Sequence, residues 1–161
     1  MIRFSGALAL MIGVAAGVGP GPGAQAAENA HKAPNNAPPV SISVNAHIDD
    51  AGKLQINGEA SVPDGALVAW AAYRVKQSLT RMKGYATVED HKFHAMVDIR
   101  RWARGKIAVD ANFQIMMPGH KQPDHIVELY GKQGEFMTGP HVVHGGGLFR
   151  AAIATTSVVK N

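Results

Sequence analysis

"KIAVDANFQIMM", residues 106–117, decides the fold. Ile107, Val109, Ala111, Phe113, Ile115 and Met117 fall on one side of an extended chain, and Asp110, Asn112 and Gln114 on the other. Successive side chains of a strand point to opposite faces, so this alternation predicts a long strand with one buried side. "KFHAMVDI" just upstream repeats the pattern, with Phe93, Ala95, Val97 and Ile99 inward and His94 and Asp98 outward.

Turn chemistry divides the rest into similar pieces. "SISVNAHI" and "KLQINGEA" flank Asp49-Asp50-Ala51-Gly52, which predicts a hairpin. "VPDG", residues 62–65, suits a type I turn with Pro63 second and Gly65 fourth. It leads into "ALVAWAAYRV", read as a strand because it is short and lies between turns. "GYATVE" and "KFHAMVDI" are expected to form another hairpin through Glu89–Lys92, and "FRAAIATTSVVK" a closing strand. Strands spaced in this way predict an all-β, antiparallel, immunoglobulin-like two-sheet sandwich. One short helix is expected at "PDHIVELYGK", with Pro123 at its start, Gly131 at its end, and Ile126, Val127, Leu129 and Tyr130 pressed on the sandwich.

The ends of the chain bear on compartment. Arg3 precedes the uncharged run "FSGALALMIGVAAGV", and Ala24-Gln25-Ala26 fits a signal-peptidase site, so residues 1–26 read as a secretory signal peptide. A membrane anchor would need about 20 apolar residues, and this run breaks at Gly19-Pro20. Residues 27–39, rich in Pro, Asn and Ala, read as a flexible tether before a domain at 40–161. Location is therefore expected to be periplasmic or extracellular, with no membrane span after cleavage. The chain has no cysteine, which excludes thiol catalysis, cysteine zinc sites and blue-copper chemistry. Net charge is +4. An exported protein of that balance is expected to meet an envelope protein or an anionic glycan rather than nucleic acid.

Three short runs resemble a group of small exported bacterial proteins of uncharacterised function: "INGEASVPDGALV", "ATVEDHKFHAMVD" and "KIAVDANFQIMMPG". "QPDHIVELYGKQGEFMTGPHV" continues the likeness, which spans roughly residues 54–143. The group's pattern is a Pro-Asp-Gly turn before a strand, then Met-Pro-Gly, Gln-Pro, a short helix and a Gly-Glu…Thr-Gly-Pro run. Val62 stands where the group has leucine. The resemblance implies an immunoglobulin-like sandwich and export, and it brings no catalytic residues. It also implies that Met117-Pro118-Gly119 ends a core strand, and that Gly131, Gly134, Gly139 and Pro140 shape a long loop covering the sandwich.

Two stretches offer chemistry. "RRWARGK" could clamp an anionic or sugar ligand through Arg100, Arg101, Trp102 and Arg104. Its plainer reading is a basic hairpin loop with Trp102 folded back as a plug. Arg74, Lys76, Arg81 and Lys83 could make one end of the domain cationic. The second stretch is 116–147, where His120, His125, His141 and His144, with Met116, could bind copper or zinc. Solvent-exposed loop histidines are the plainer alternative. His144-Gly145-Gly146-Gly147 resembles an oxyanion loop, but no Gly-x-Ser-x-Gly accompanies it. With no paired carboxylates or calcium loop either, the expectation is an exported, non-catalytic interaction or envelope-associated module that needs no cofactor. A periplasmic copper- or zinc-binding protein is the alternative.

Overall fold

From Ile107 to Met117 every second side chain is buried, as the alternation requires: Ile107, Val109, Ala111 and Phe113 are wholly inaccessible, and Ile115 and Met117 nearly so. The structure, a computed structural model, describes residues 37–145 and 149–161, with backbone alone at 77–79. The expected signal peptide, most of the tether, and Gly146 and Gly147 lie outside the described residues.

In chain order come β1 (Ile42–Ile48), β2 (Lys53–Ala60), β3 (Leu67–Arg74), β4 (Gln77–Thr87), β5 (Lys92–Asp98) and β6 (Gly105–Gln114). Then follow β7 (Met116–Met117), β8 (His120–Lys121), the helix α1 (Asp124–Tyr130), β9 (Val142–His144) and β10 (Arg150–Lys160). They pair antiparallel into a three-stranded sheet, β1-β2-β5, a five-stranded sheet, β4-β3-β6-β10-β9, and the small hairpin β7-β8. Both large sheets feed one apolar core. Ile42, Leu54, Ile56, Phe93 and Val97 come from the first, and Val68, Ala72, Val109 and Phe113 from the second.

Four expectations need correcting. "GYATVE" and "KFHAMVDI" do not form a hairpin. The turn between them is tight, with Asp90 and His91 both at positive φ and a single bridge between Glu89 and Lys92. The strands then part, β4 to β3 and β5 to β2, because each has its apolar face toward the core from a different sheet. The basic loop after Asp98 likewise crosses between sheets instead of closing a hairpin. The Pro63-Asp64-Gly65 turn closes one residue later than a type I turn would, by Ala66 N–H donating to the Pro63 carbonyl. Gly65 therefore sits third, at φ +85°, where a type II turn needs glycine. Lastly, β4 starts at Gln77, so Arg81 and Lys83 lie along an edge strand and not at one end of the domain.

The first hairpin and the long covering loop form as expected. Asp49 and Lys53 close a three-residue turn with Gly52 at φ +73°, and the Asp49 carboxylate accepts from the Lys53 amide and the Gln55 side chain. These bonds, the Lys53 amide first, hold that carboxyl below its ordinary pKa. In the loop after β6, Ile126, Tyr130 and Met137 are fully buried, and Tyr130 meets Phe113 edge-on with centroids 5.7 Å apart. Gly139 passes so close to the Val40 carbonyl that a Cβ would clash, and Val40 N–H donates to the Thr138 carbonyl at 2.6 Å.

One polar side chain organises this loop. Gln122 is 1% exposed. Its amide oxygen accepts from Leu67 N–H at 2.8 Å, and its NH2 donates to the Leu67 carbonyl at 2.8 Å and the Gln114 carbonyl at 2.9 Å. Leu67 and Gln114 lie where the β3–β6 ladder, regular from Ala69↔Asn112, has run out. The glutamine amide thus replaces one peptide rung and ties the loop to both strands. Gln122→Ala is expected to leave three backbone groups unpaired and to lower stability by about 3 kcal/mol. Urea unfolding would show this, and a loss under about 1 kcal/mol would mean that water replaces the amide.

Tyr130 poses a different case, because its hydroxyl is buried without a hydrogen-bond partner among the described residues. Burial pushes its pKa up to about 12 from the ordinary 10.0. A raised phenol pKa favours the protonated folded state, so this stability is present below pH 10 and fades as pH approaches 12. Tyr130→Phe is expected to be neutral or stabilising at pH 7, since it removes an unpaired hydroxyl, and to flatten the alkaline fall in Tm. A Tm drop at pH 7 would reveal a partner for that hydroxyl.

Candidate functional site

The strand alternation that fills the core also fixes what stands on the other face of the five-stranded sheet. Pairing aligns Tyr85, Ala69, Asn112 and Ile153 in one cross-strand row, and Lys83, Ala71, Asp110 and Thr155 in the next. Paired residues of an antiparallel ladder share a face. The two alanines stop at Cβ, so each row dips in its middle. The result is a groove of about 630 Å³ on this face, with Pro118 and His120 of the β7–β8 hairpin walling one end. That volume falls within the range of small-ligand sites, about 300–1,000 Å³.

Most of the groove's polar groups are held in place, and Lys83 is the exception. Tyr85 donates to the Pro118 carbonyl at 3.2 Å, and its ring lies against His120 with centroids 3.9 Å apart. Thr155 donates to the Asp110 carboxylate at 3.1 Å. That carboxylate, with burial second, holds the Tyr73 hydroxyl above its ordinary pKa. Arg81 stands over the Tyr73 ring at 5.6 Å, a cation–π contact. Lys83 is exposed, and makes no hydrogen bond or ion pair among the described residues. The Asn112 amide NH2 donates to Gln114, while its buried Oδ1 has no donor among the described residues. On the core side of the same strands the Trp70 ring lies over Gly84, which has no side chain to obstruct it.

Two other hollows are less organised for a ligand. One of about 670 Å³ lies by the three-stranded sheet, lined by Ser43, Asn57, Glu59, Lys92 and His94 among others. There His94 Nδ1 is 2.8 Å from Asn57 Oδ1, so two of its polar groups already satisfy each other. The other, of about 380 Å³, is shallow and includes His91 and His141.

The residues singled out from sequence are scattered relative to the groove. Arg100 makes a close ion pair with Asp98, which holds that carboxyl well below the usual carboxylate range. Arg101 and Arg104 are exposed, and the Arg104 carbonyl accepts from Arg74 at 2.6 Å. Trp102 packs half-buried against the core, the plug of the plainer reading. Its carbonyl and those of Ile99 and Arg100 all accept from the Lys160 ammonium, at 2.6, 2.7 and 3.0 Å. This loop is therefore bound to the end of β10.

The histidines are spread over separate elements. His120 is in β8 against Tyr85, and His125 opens α1 with Nε2 3.3 Å from the Asp64 carbonyl. His141 lies in the turn before β9, and exposed His144 ends that strand. Met116 is 54% exposed. Among the described residues no group of three or more His, Cys, Asp or Glu side chains could hold a metal ion. Among them, too, no helix is long and apolar enough to cross a membrane.

Sequence reading missed the groove because its residues come from five separate segments. The available signal was the polar side of β6 itself, Asp110 and Asn112, beside "AWAA", whose small residues leave room above the sheet. Compared with known proteins, the chain matches no family model, no curated protein and no solved structure.

Proposed function

We propose that this chain is an exported, non-catalytic binding module with an immunoglobulin-like sandwich, and that it holds an envelope component in the groove of its five-stranded sheet. The observation that carries the reading is the groove itself. It has a small-residue floor, aromatic and imidazole walls, and two cations on one side that have no carboxylate counter-ion among the described residues. Apart from Lys83, its main polar side chains are held by neighbours on paired strands, which suits recognition of a ligand at low entropic cost.

The strand order supports the architecture proposed. β1-β2-β5 in one sheet and β4-β3-β6-β10-β9 in the other, with the chain changing sheets after β2, β4 and β5, is the kind of order that an immunoglobulin-like Greek key would have. The Pro-Asp-Gly and Met-Pro-Gly motifs point to the same exported group. Export itself rests on the basic start, apolar run and Ala24-Gln25-Ala26 of the sequence.

Two measurements test the proposal. N-terminal sequencing of protein recovered from the cell envelope is expected to start at Ala27, and an intact Met1 on exported protein would contradict cleavage. Immobilised protein is expected to retain a component of solubilised envelope, and Lys83→Ser with Tyr85→Ser to lose it without a shift in Tm above a few degrees. Equal capture by the variant would place binding on another surface.

A further inference from the structure

We propose that the groove takes an acidic saccharide, a sugar chain bearing carboxylates, with the carboxylate on the Lys83 and Arg81 side and sugar hydroxyls on the Asp110 and Thr155 floor. This rests on the reading of the groove as the binding surface and goes further by naming what it selects.

The argument lies in how charge is divided across the groove. Lys83 and Asp110 are the two cross-strand neighbours of Ala71, on opposite sides of it. They stand two strands apart, roughly 10 Å between Cα atoms. With only a methyl group between them, the space above Ala71 is bounded by a cation on one side and a carboxylate on the other. The cationic side is strengthened by Arg81, one row along on the same strand. The floor carries an acceptor, the Asp110 carboxylate, at the middle of its row. Thr155 donates to Asp110 and keeps its own lone pairs free to accept.

Such a floor needs a ligand rich in donors, and such a wall needs an anion. A lipid phosphodiester offers only acceptors, inorganic phosphate keeps few hydroxyl donors at neutral pH, and both would be repelled by Asp110. A neutral sugar would leave Lys83 unused. Hydroxyls and a carboxylate on one compact ring satisfy both sides. The apolar face of a sugar ring also suits the Ala69, Ala71, Tyr85 and Ile153 surface, which is too small-residued for a large hydrocarbon. A glutamate-rich peptide shares the anion but brings fewer donors, so it serves as the competing probe.

The test is a titration of the exported chain, followed by amide chemical shifts, with four probes: tri-galacturonate, a neutral galactose trimer, tri-glutamate and inorganic phosphate. Tri-galacturonate is expected to bind at least tenfold tighter than any other, moving amides of Ala69, Ala71, Asp110, Asn112 and Thr155. Lys83→Gln should weaken it about tenfold with an unchanged Tm, and added salt should weaken it too. Asp110→Asn separates this proposal from simple anion binding. Loss of a hydroxyl acceptor weakens the uronate, whereas loss of a repelling charge would tighten every anion. Tighter uronate binding in Asp110→Asn, or equal affinity for the neutral trimer, overturns the saccharide proposal. Tri-glutamate binding best at these amides does so too, while the groove still stands as the binding surface. If the probes move only amides of the Ser43–His94 hollow, or none at all, the groove reading fails along with it.

Discussion

The two faces of β6 carry both the fold and the site. A strand can bury one side only if the other side is tolerable to water or to a partner, and β6 sets Val109, Ala111 and Phe113 against Asp110, Asn112 and Gln114. Pairing with β3 and β10 on its two edges keeps each set on its own face. A slip of one residue would bring Asp110 into the core and Phe113 to the groove. The energetic demand of the core therefore fixes the geometry of the polar face. The floor of the groove and the core beneath it are set by the same strands.

Gln122 extends that constraint beyond the last regular rung. Where β3 and β6 separate, water would otherwise reach Leu67 and Gln114, and the long loop after β6 would lose its tie to both strands. A single amide, presenting a donor and an acceptor as a peptide unit does, satisfies three backbone groups there. Holding residue 122 also holds the β7–β8 hairpin just before it, and with it the His120 wall of the groove. The polar lock and the candidate site thus share one short stretch of chain.

Much of this was legible in the sequence where a residue's role is set by its own strand. The inward faces of β5 and β6, the Asp49–Gly52 turn and the α1 helix all follow from local periodicity and turn chemistry, and all are present. What failed was pairing. Glu89–Lys92 has the dipeptide chemistry of a hairpin, yet the partner of β5 is β2, because strand partnership is chosen by which sheet each apolar face must join. No local pattern encodes that choice. The site was hidden for the same reason: Lys83, Ala71, Asp110 and Thr155 form one row only after four strands are aligned. Arg100 and Trp102 looked conspicuous because charge and size cluster in sequence there, but Asp98 and the core take them up.

The most direct measurement uses the absence of native cysteine. Single variants Val109→Cys, Asp110→Cys, Ala111→Cys, Asn112→Cys and Phe113→Cys can be probed with a water-soluble thiol reagent on the folded protein. Thiols at 110 and 112 are expected to react on the folded protein, more slowly than a fully exposed thiol, and those at 109, 111 and 113 only after denaturation. Uniform reactivity along the segment, or fast labelling at 109, 111 and 113, would contradict a strand with one face in the core and the other on the groove.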